Sequence, residues 1–157
     1  MYIPKNPSEI KFKNNVVYNG VTYTAQQQSD IFFQYIEQDP YLRDHKGQVA
    51  ERNGAKFPWY NRVDMKFAED IFGTFGRRRN TLQFTVDIVN FLNLLNSNWG
   101  VRQLTTVNNP LKVESVTNGV PTFSLTSFAN APVNKTFVNN FSTSSTWGIQ
   151  LGLRYIF

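Results

Sequence analysis

The chain has 157 residues, enough for one ordinary domain with a real core, and a formal net charge of +5, with 17% of residues charged and 15% aromatic. The lack of cysteine excludes disulfides and thiolate metal sites, and a modest positive balance diluted in Asn, Ser, Thr and Gln argues against nucleic acid as a partner. No run of about 18 apolar residues occurs, which excludes a membrane-spanning helix but not a barrel, whose strands alternate.

The opening MYIPKNPSEIKF lacks the charged, apolar and small-residue segments of a signal peptide. If the protein is exported to an outer membrane, the export signal is expected on sequence that precedes this chain. Short extended pieces are expected over residues 9–13 and 16–18, and Asn19-Gly20 predicts a tight hairpin between residues 16–18 and 21–23. Thr24 is placed to cap a helix over about residues 25–38 with Ile31, Phe32, Tyr35 and Ile36 on one face, read as a small core under an outer loop. Asp39-Pro40 closes that helix and starts a shorter one over residues 41–45, which ends at Gly47.

A polar stretch with little periodicity runs to Arg62. From there Val63, Met65 and Phe67 alternate with Asp64, Lys66 and Ala68, a strand that Glu69 is expected to interrupt. A turn with Gly73, Gly76 and the run Arg77, Arg78, Arg79 leads to a second strand, with Leu82, Phe84, Val86 and Ile88 on one face and Thr81, Gln83, Thr85 and Asp87 on the other. The pair reads as an antiparallel hairpin in which Lys66 faces Asp87, because the competing register sets Asp64 against Asp87. The phase breaks at Asn90 and Phe91, where a bulge is expected. The next long polar stretch holds a hairpin over about residues 112–126, turning at Asn118-Gly119, with Pro121 suited only to an edge.

The last strand, TWGIQLGLRYIF, places Trp147, Ile149, Leu151, Leu153, Tyr155 and Phe157 on one face and Gly148, Gln150, Gly152 and Arg154 on the other. At about 3.3 Å per residue and a tilt of about 40°, it climbs roughly 25 Å, the height of the lipid-facing band of a transmembrane barrel. Trp147, Tyr155 and Phe157 then stand as an aromatic girdle, and Asp64, Lys66, Asp87 and Arg154 fall on the lumen side. Strand parity puts a short turn on the periplasmic side and both long segments, residues 1–61 and 101–145, outside. Periodicity alone also fits a soluble or secreted β-rich binding module, in which the same face packs on a second sheet of this chain. The exposure of the odd-numbered side chains separates the two readings.

The order SEIKF, a helix ending in YIEQDPYLRDHKGQVAERNGAKFPW, then NRVDMKFAED, LQFTVDIVNFLNLLNSNWGV and WGIQLGLRYIF resembles the C-terminal end of Oar-like TonB-dependent outer-membrane receptors. The resemblance covers nearly the whole chain; its most specific pieces are ERNG before Pro58, NLLN at residues 93–96, Trp99-Gly100 and the aromatic-ended last strand. It implies a β fold, the end of a large plugged barrel of ~22 strands in the cell outer membrane. Such a receptor imports a scarce ligand with energy delivered through TonB and needs no cofactor in this segment. The implied partners are the plug and remaining strands of the same receptor, outer-membrane lipid and the barrel assembly machinery, with the plug and energy-coupling box expected N-terminal to this segment. The resemblance also assigns Phe157, Tyr155, Leu153 and Leu151 to the barrel assembly signal.

The sequence supplies no catalytic constellation. His45, the one histidine, sits beside Asp44 at a helix end; Ser142, Ser144 and Ser145 have no histidine spaced to activate them; and the glycines form no phosphate loop. The arginine run reads as a solvated turn beside lipid phosphates. Trp59, Tyr60 and Trp99 are the loop aromatics considered for ligand contact, with headgroup anchoring or loop packing as their other reading.

Overall fold

The computed structural model describes residues 2–75 and 77–157, with every side chain except those of Phe75, Arg78 and Arg79. In chain order the elements are a 3-10 turn (Pro7–Glu9), β1 (Lys11–Phe12), β2 (Val16–Tyr18), β3 (Val21–Tyr23), α1 (Ala25–Gln38) and α2 (Pro40–Asp44). Then follow β4 (Met65–Phe75), β5 (Arg78–Val89), α3 (Phe91–Leu95), β6 (Gln103–Thr105), β7 (Leu111–Thr117) and β8 (Val120–Leu125). The chain closes with β9 (Ser127–Phe128), β10 (Ala131–Pro132), β11 (Phe137–Asn139) and β12 (Gly148–Ile156). The fold is mainly β with antiparallel strands, and it divides into two compact units, Met1–Phe57 with Leu104–Val138 and Pro58–Gln103 with Asn139–Phe157.

In the first unit the two long segments, which the sequence presents as separate loops, share one core. Helix α1 starts where Thr24 predicts: Thr24 Oγ1 accepts from Gln27 N at 3.2 Å, and Gln27 Oε1 accepts from Thr24 N at 2.8 Å, a closed capping box. Its apolar stripe buries Phe32, Tyr35 and Ile36 with Ile31 packed beside them, against Phe12, Tyr18, Leu125 and Val133. Asp39 Oδ1 accepts from Tyr41 N and Leu42 N at 2.9 and 3.1 Å, so with Pro40 it starts α2 as expected. Buried Gln28 ties the layers together: its Nε2 donates to Lys13 O at 2.7 Å, and its Oε1 accepts from Leu125 N at 3.3 Å and from Tyr18 Oη at 3.4 Å. Burial pushes the Tyr18 phenol above its ordinary pKa.

Both Asn-Gly hairpins form, with positive φ at Asn19, Gly20, Asn118 and Gly119. The sheet order β1-β8-β7 differs from expectation, because β8 is central and not an edge. Pro121 is tolerated there because β1 pairs in parallel only with Thr122 and Phe123, leaving the proline beyond its reach. In β7 the register shifts between Val113 and Ser115, so Glu114 is the extra residue of a β-bulge.

The second unit is built on the sheet β12-β5-β4. Lys66 pairs with Asp87, the expected register, and Ile88 with both Met65 and Ile149. Toward their turn β4 and β5 run longer than the sequence suggests, while β12 is shorter than the expected residues 146–157. β4 continues through Glu69 and Gly73 to Phe75, and β5 begins at Arg78, so the expected turn over residues 73–80 shrinks. Of that expected turn, Gly76 lies outside the described residues, as do the side chains of Arg78 and Arg79, while Arg77 is exposed. Cross-strand pairing along the whole hairpin outweighs the weak strand preference of glycine and glutamate. At Asn90 no bulge forms. The residue turns to the left-handed conformation, φ 53°, and the short helix α3 follows.

Among the described residues every buried apolar core side chain belongs to the first unit, and no helix is long and apolar enough to cross a membrane.

Candidate functional site

The pairing sorts the second unit's sheet into two chemically distinct faces. Lys66, Asp87 and Gln150 share one row of the first face, Ala68, Thr85 and Gly152 the next, Asp70, Gln83 and Arg154 the third, and Phe72, Thr81 and Ile156, two of them apolar, the fourth. Lys66 Nζ lies 3.3 Å from Asp87 Oδ1, and Gln83 Nε2 donates to Asp70 Oδ1 at 2.8 Å. The opposite face carries Met65, Ile88 and Ile149, then Phe67, Val86 and Leu151, then Glu69, Phe84 and Leu153, then Ile71, Leu82 and Tyr155. Glu69 is the one charge on that face among the described side chains; nothing in the structure explains it.

The apolar face is uncovered. Leu151 and Leu153 are 66% and 71% exposed, and Trp147, Ile149, Tyr155 and Phe157 also lie open. Tyr155 and Phe157 stack with ring centroids 5.9 Å apart, and Tyr155 Oη donates to Asn80 Oδ1 at 2.8 Å. The edges of the sheet, β4 and β12, each have a neighbour on one side only.

Two of the expected residues, Asp64 and Tyr60, take other roles, and two, Trp59 and Trp99, come together. Asp64 is not on the ladder. It stands one residue before β4, where Arg62 Nε and Nη2 donate to its carboxylate at 2.8 and 2.9 Å and Asn90 N donates to Oδ1 at 2.8 Å, so it fastens the strand end to the turn after β5. Trp59 and Trp99 line one pocket, together with Asn61, Leu92, Asn98, Gly100 and Val101. Tyr60 does not join them; its hydroxyl donates to Ser144 O at 2.8 Å.

Two buried asparagines that the sequence reading leaves without a role hold this end of the sheet. Asn93 Nδ2 donates to Ser97 O and Trp99 O at 3.1 and 2.8 Å, and Asn90 Nδ2 donates to Gly100 O at 2.9 Å. Asn90 Oδ1, buried and without a hydrogen-bond partner, packs where a Cβ on Gly100 would stand, and Gly100 has φ +61°. These contacts give NLLN and Trp99-Gly100 a physical meaning: they are a clamp that sets the Trp99 loop. In ERNG the reason is similar, since a Cβ on Gly54 would collide with the Tyr41 ring in the first unit.

The residues weighed for chemistry make local structure. His45 stacks on Tyr41 at 4.2 Å, with Nδ1 2.8 Å from Tyr41 O. Ser142 and Ser144 hydroxyls lie 2.8 Å apart, and Ser145 Oγ accepts from Arg102 N at 3.1 Å. Comparison with protein-family models, with curated proteins and with solved structures finds no match to this chain.

Proposed function

We propose that the second unit is a wall segment of an outer-membrane β-barrel, and that the chain serves as part of a TonB-dependent receptor for a scarce ligand. One observation carries the reading: a three-stranded sheet leaves its aliphatic and aromatic face open while its other face holds ordered polar pairs. In water an apolar face of this extent is covered by a second layer of the same molecule or by a protein partner. In a barrel wall the covering layer is lipid, and the paired charges Lys66 and Asp87 sit toward a wet lumen.

The dimensions agree. Strands of 11 and 12 residues, at about 3.3 Å per residue and a tilt of about 40°, reach roughly 28–30 Å, enough for an apolar band about 25 Å tall. The free edges of β4 and β12 take further strands of the barrel, which needs about eight at least to close. The start of β4, the end of β5 and the start of β12 lie at one end of the sheet, so both long segments attach there. In this reading that end is extracellular, Trp147 and Tyr155 with Phe157 mark the two headgroup levels, and the aromatic-ended strand through Leu151 and Leu153 serves the assembly machinery. The segment contributes wall and outer surface, and no bond chemistry.

The test is fractionation of cells expressing the receptor that contains this chain. Recovery in outer membranes, released only by detergent, is the expected result. Free solubility of the chain without detergent would establish the soluble binding module in its place.

A further inference from the structure

The pocket beside the Trp99 loop has a volume of about 320 Å³, within the range of small-molecule sites, and is lined by Trp59, Asn61, Leu92, Asn98, Trp99, Gly100 and Val101. We propose that it binds a neutral saccharide of one or two rings. This inference goes beyond the barrel reading and does not depend on it, since the pocket lies wholly within the second unit.

The chemistry of the lining selects the ligand class. No charged side chain lines the pocket, so an ionic ligand gains no partner. Two indoles and Leu92 offer flat apolar surface, which suits the C–H face of a pyranose ring. Among the described residues the side-chain amides of Asn61 and Asn98 make no hydrogen bond, and each amide presents donors and an acceptor. Neighbouring hydroxyls of a sugar donate and accept in the same way. A purely apolar ligand would desolvate both amides without replacing their bonds to water.

The pocket is also prepared in advance. Trp99 N donates to Asn96 O at 2.9 Å and Trp99 O accepts from Asn93, so the loop is fixed before any ligand arrives. Trp59, in contrast, is 94% exposed. A tryptophan held that open at the rim of a pocket with free amides is placed to close over a ring. Headgroup anchoring needs no concavity and no amides, and it is the competing account of Trp59.

The experiment is a tryptophan-fluorescence titration of the full chain in lauryldimethylamine oxide, a detergent without a sugar headgroup. Maltose, cellobiose and diacetylchitobiose are the ligands. A saturable change with at least one of them, at a Kd of about 0.1–10 mM, is expected. Trp59→Ala is expected to weaken it about tenfold, and Asn98→Ala about fivefold, with unchanged circular dichroism. No saturable response to any of these sugars up to ~100 mM overturns the proposal. So does an unchanged Kd in both variants, or an emission shift, lost in Trp59→Ala, with phosphatidylethanolamine vesicles but not with sugar.

Discussion

Single polar residues hold this chain at the points where its strands leave regular geometry. Glu114, displaced by the bulge in β7, is only 17% exposed in its side chain and receives Lys13 Nζ at 3.0 Å, Lys112 Nζ at 3.1 Å and Ser124 Oγ at 3.0 Å. The two ammonium groups, Lys13 first, and the serine hydroxyl lower its carboxyl pKa from 4.5 to about 2. A depressed carboxyl stabilises the fold fully above its unfolded value and loses that contribution as pH falls through the folded one. The first unit is therefore expected to lose stability between about pH 4.5 and 2, by about 1 kcal/mol once screening of the exposed lysines is counted. Glu114→Gln removes that part of the acid slope, which urea melts across this pH range would measure; an unaltered slope would show that Glu114 carries none of it. None of this was legible in the sequence, because Lys13 and Glu114 lie 101 residues apart and meet only through the β1-β8-β7 sheet. Asp64 teaches the same lesson: alternation put it on a face, and the turn at Asn90 took it for a backbone bond.

At the scale of elements, local chemistry was the reliable guide. The helix cap at Thr24, the Asp39-Pro40 start of α2, both Asn-Gly hairpins and the pairing of Lys66 with Asp87 form where short-range signals place them. Strand ends were less legible, because β4 is extended past Glu69 and Gly73 by its partner and not by its own residues. The sheet faces now make a differential prediction. Leu151→Arg places a charge on the open apolar face, where a bilayer midplane would charge about 2–4 kcal/mol, whereas Gln150→Arg adds one to the polar row with Asp87 and Lys66. Outer-membrane levels of the receptor should fall sharply for Leu151→Arg and hold for Gln150→Arg. Equal levels for the two variants would count against lipid on that face.

The whole molecule is asymmetric in what supports it. The first unit has a core of Phe32, Ile36, Leu125 and their neighbours, in which truncating Phe32 to alanine would cost about 3–5 kcal/mol. The second unit has backbone ladders without a buried apolar core among its described residues. Hydrogen exchange should divide along the same line. Amides of α1 and of Leu125 are expected to be protected in water and in detergent, and those of β4 and β12 only in detergent or a bilayer. Protection of β4 and β12 in plain water at the level of α1 would mean that the sheet needs no covering layer.

The sequence by itself determined the alternating faces, the caps and the tight turns, because these depend on residues within one turn or one pleat of each other. Tertiary structure alone decided that the two long segments share a core, that β8 is a central strand, and that Trp59 and Trp99 line one pocket while Tyr60 bonds to Ser144. Those outcomes rest on contacts between residues far apart in the chain, whose register is set by packing and by buried asparagine and glutamine side chains that carry no periodic signal.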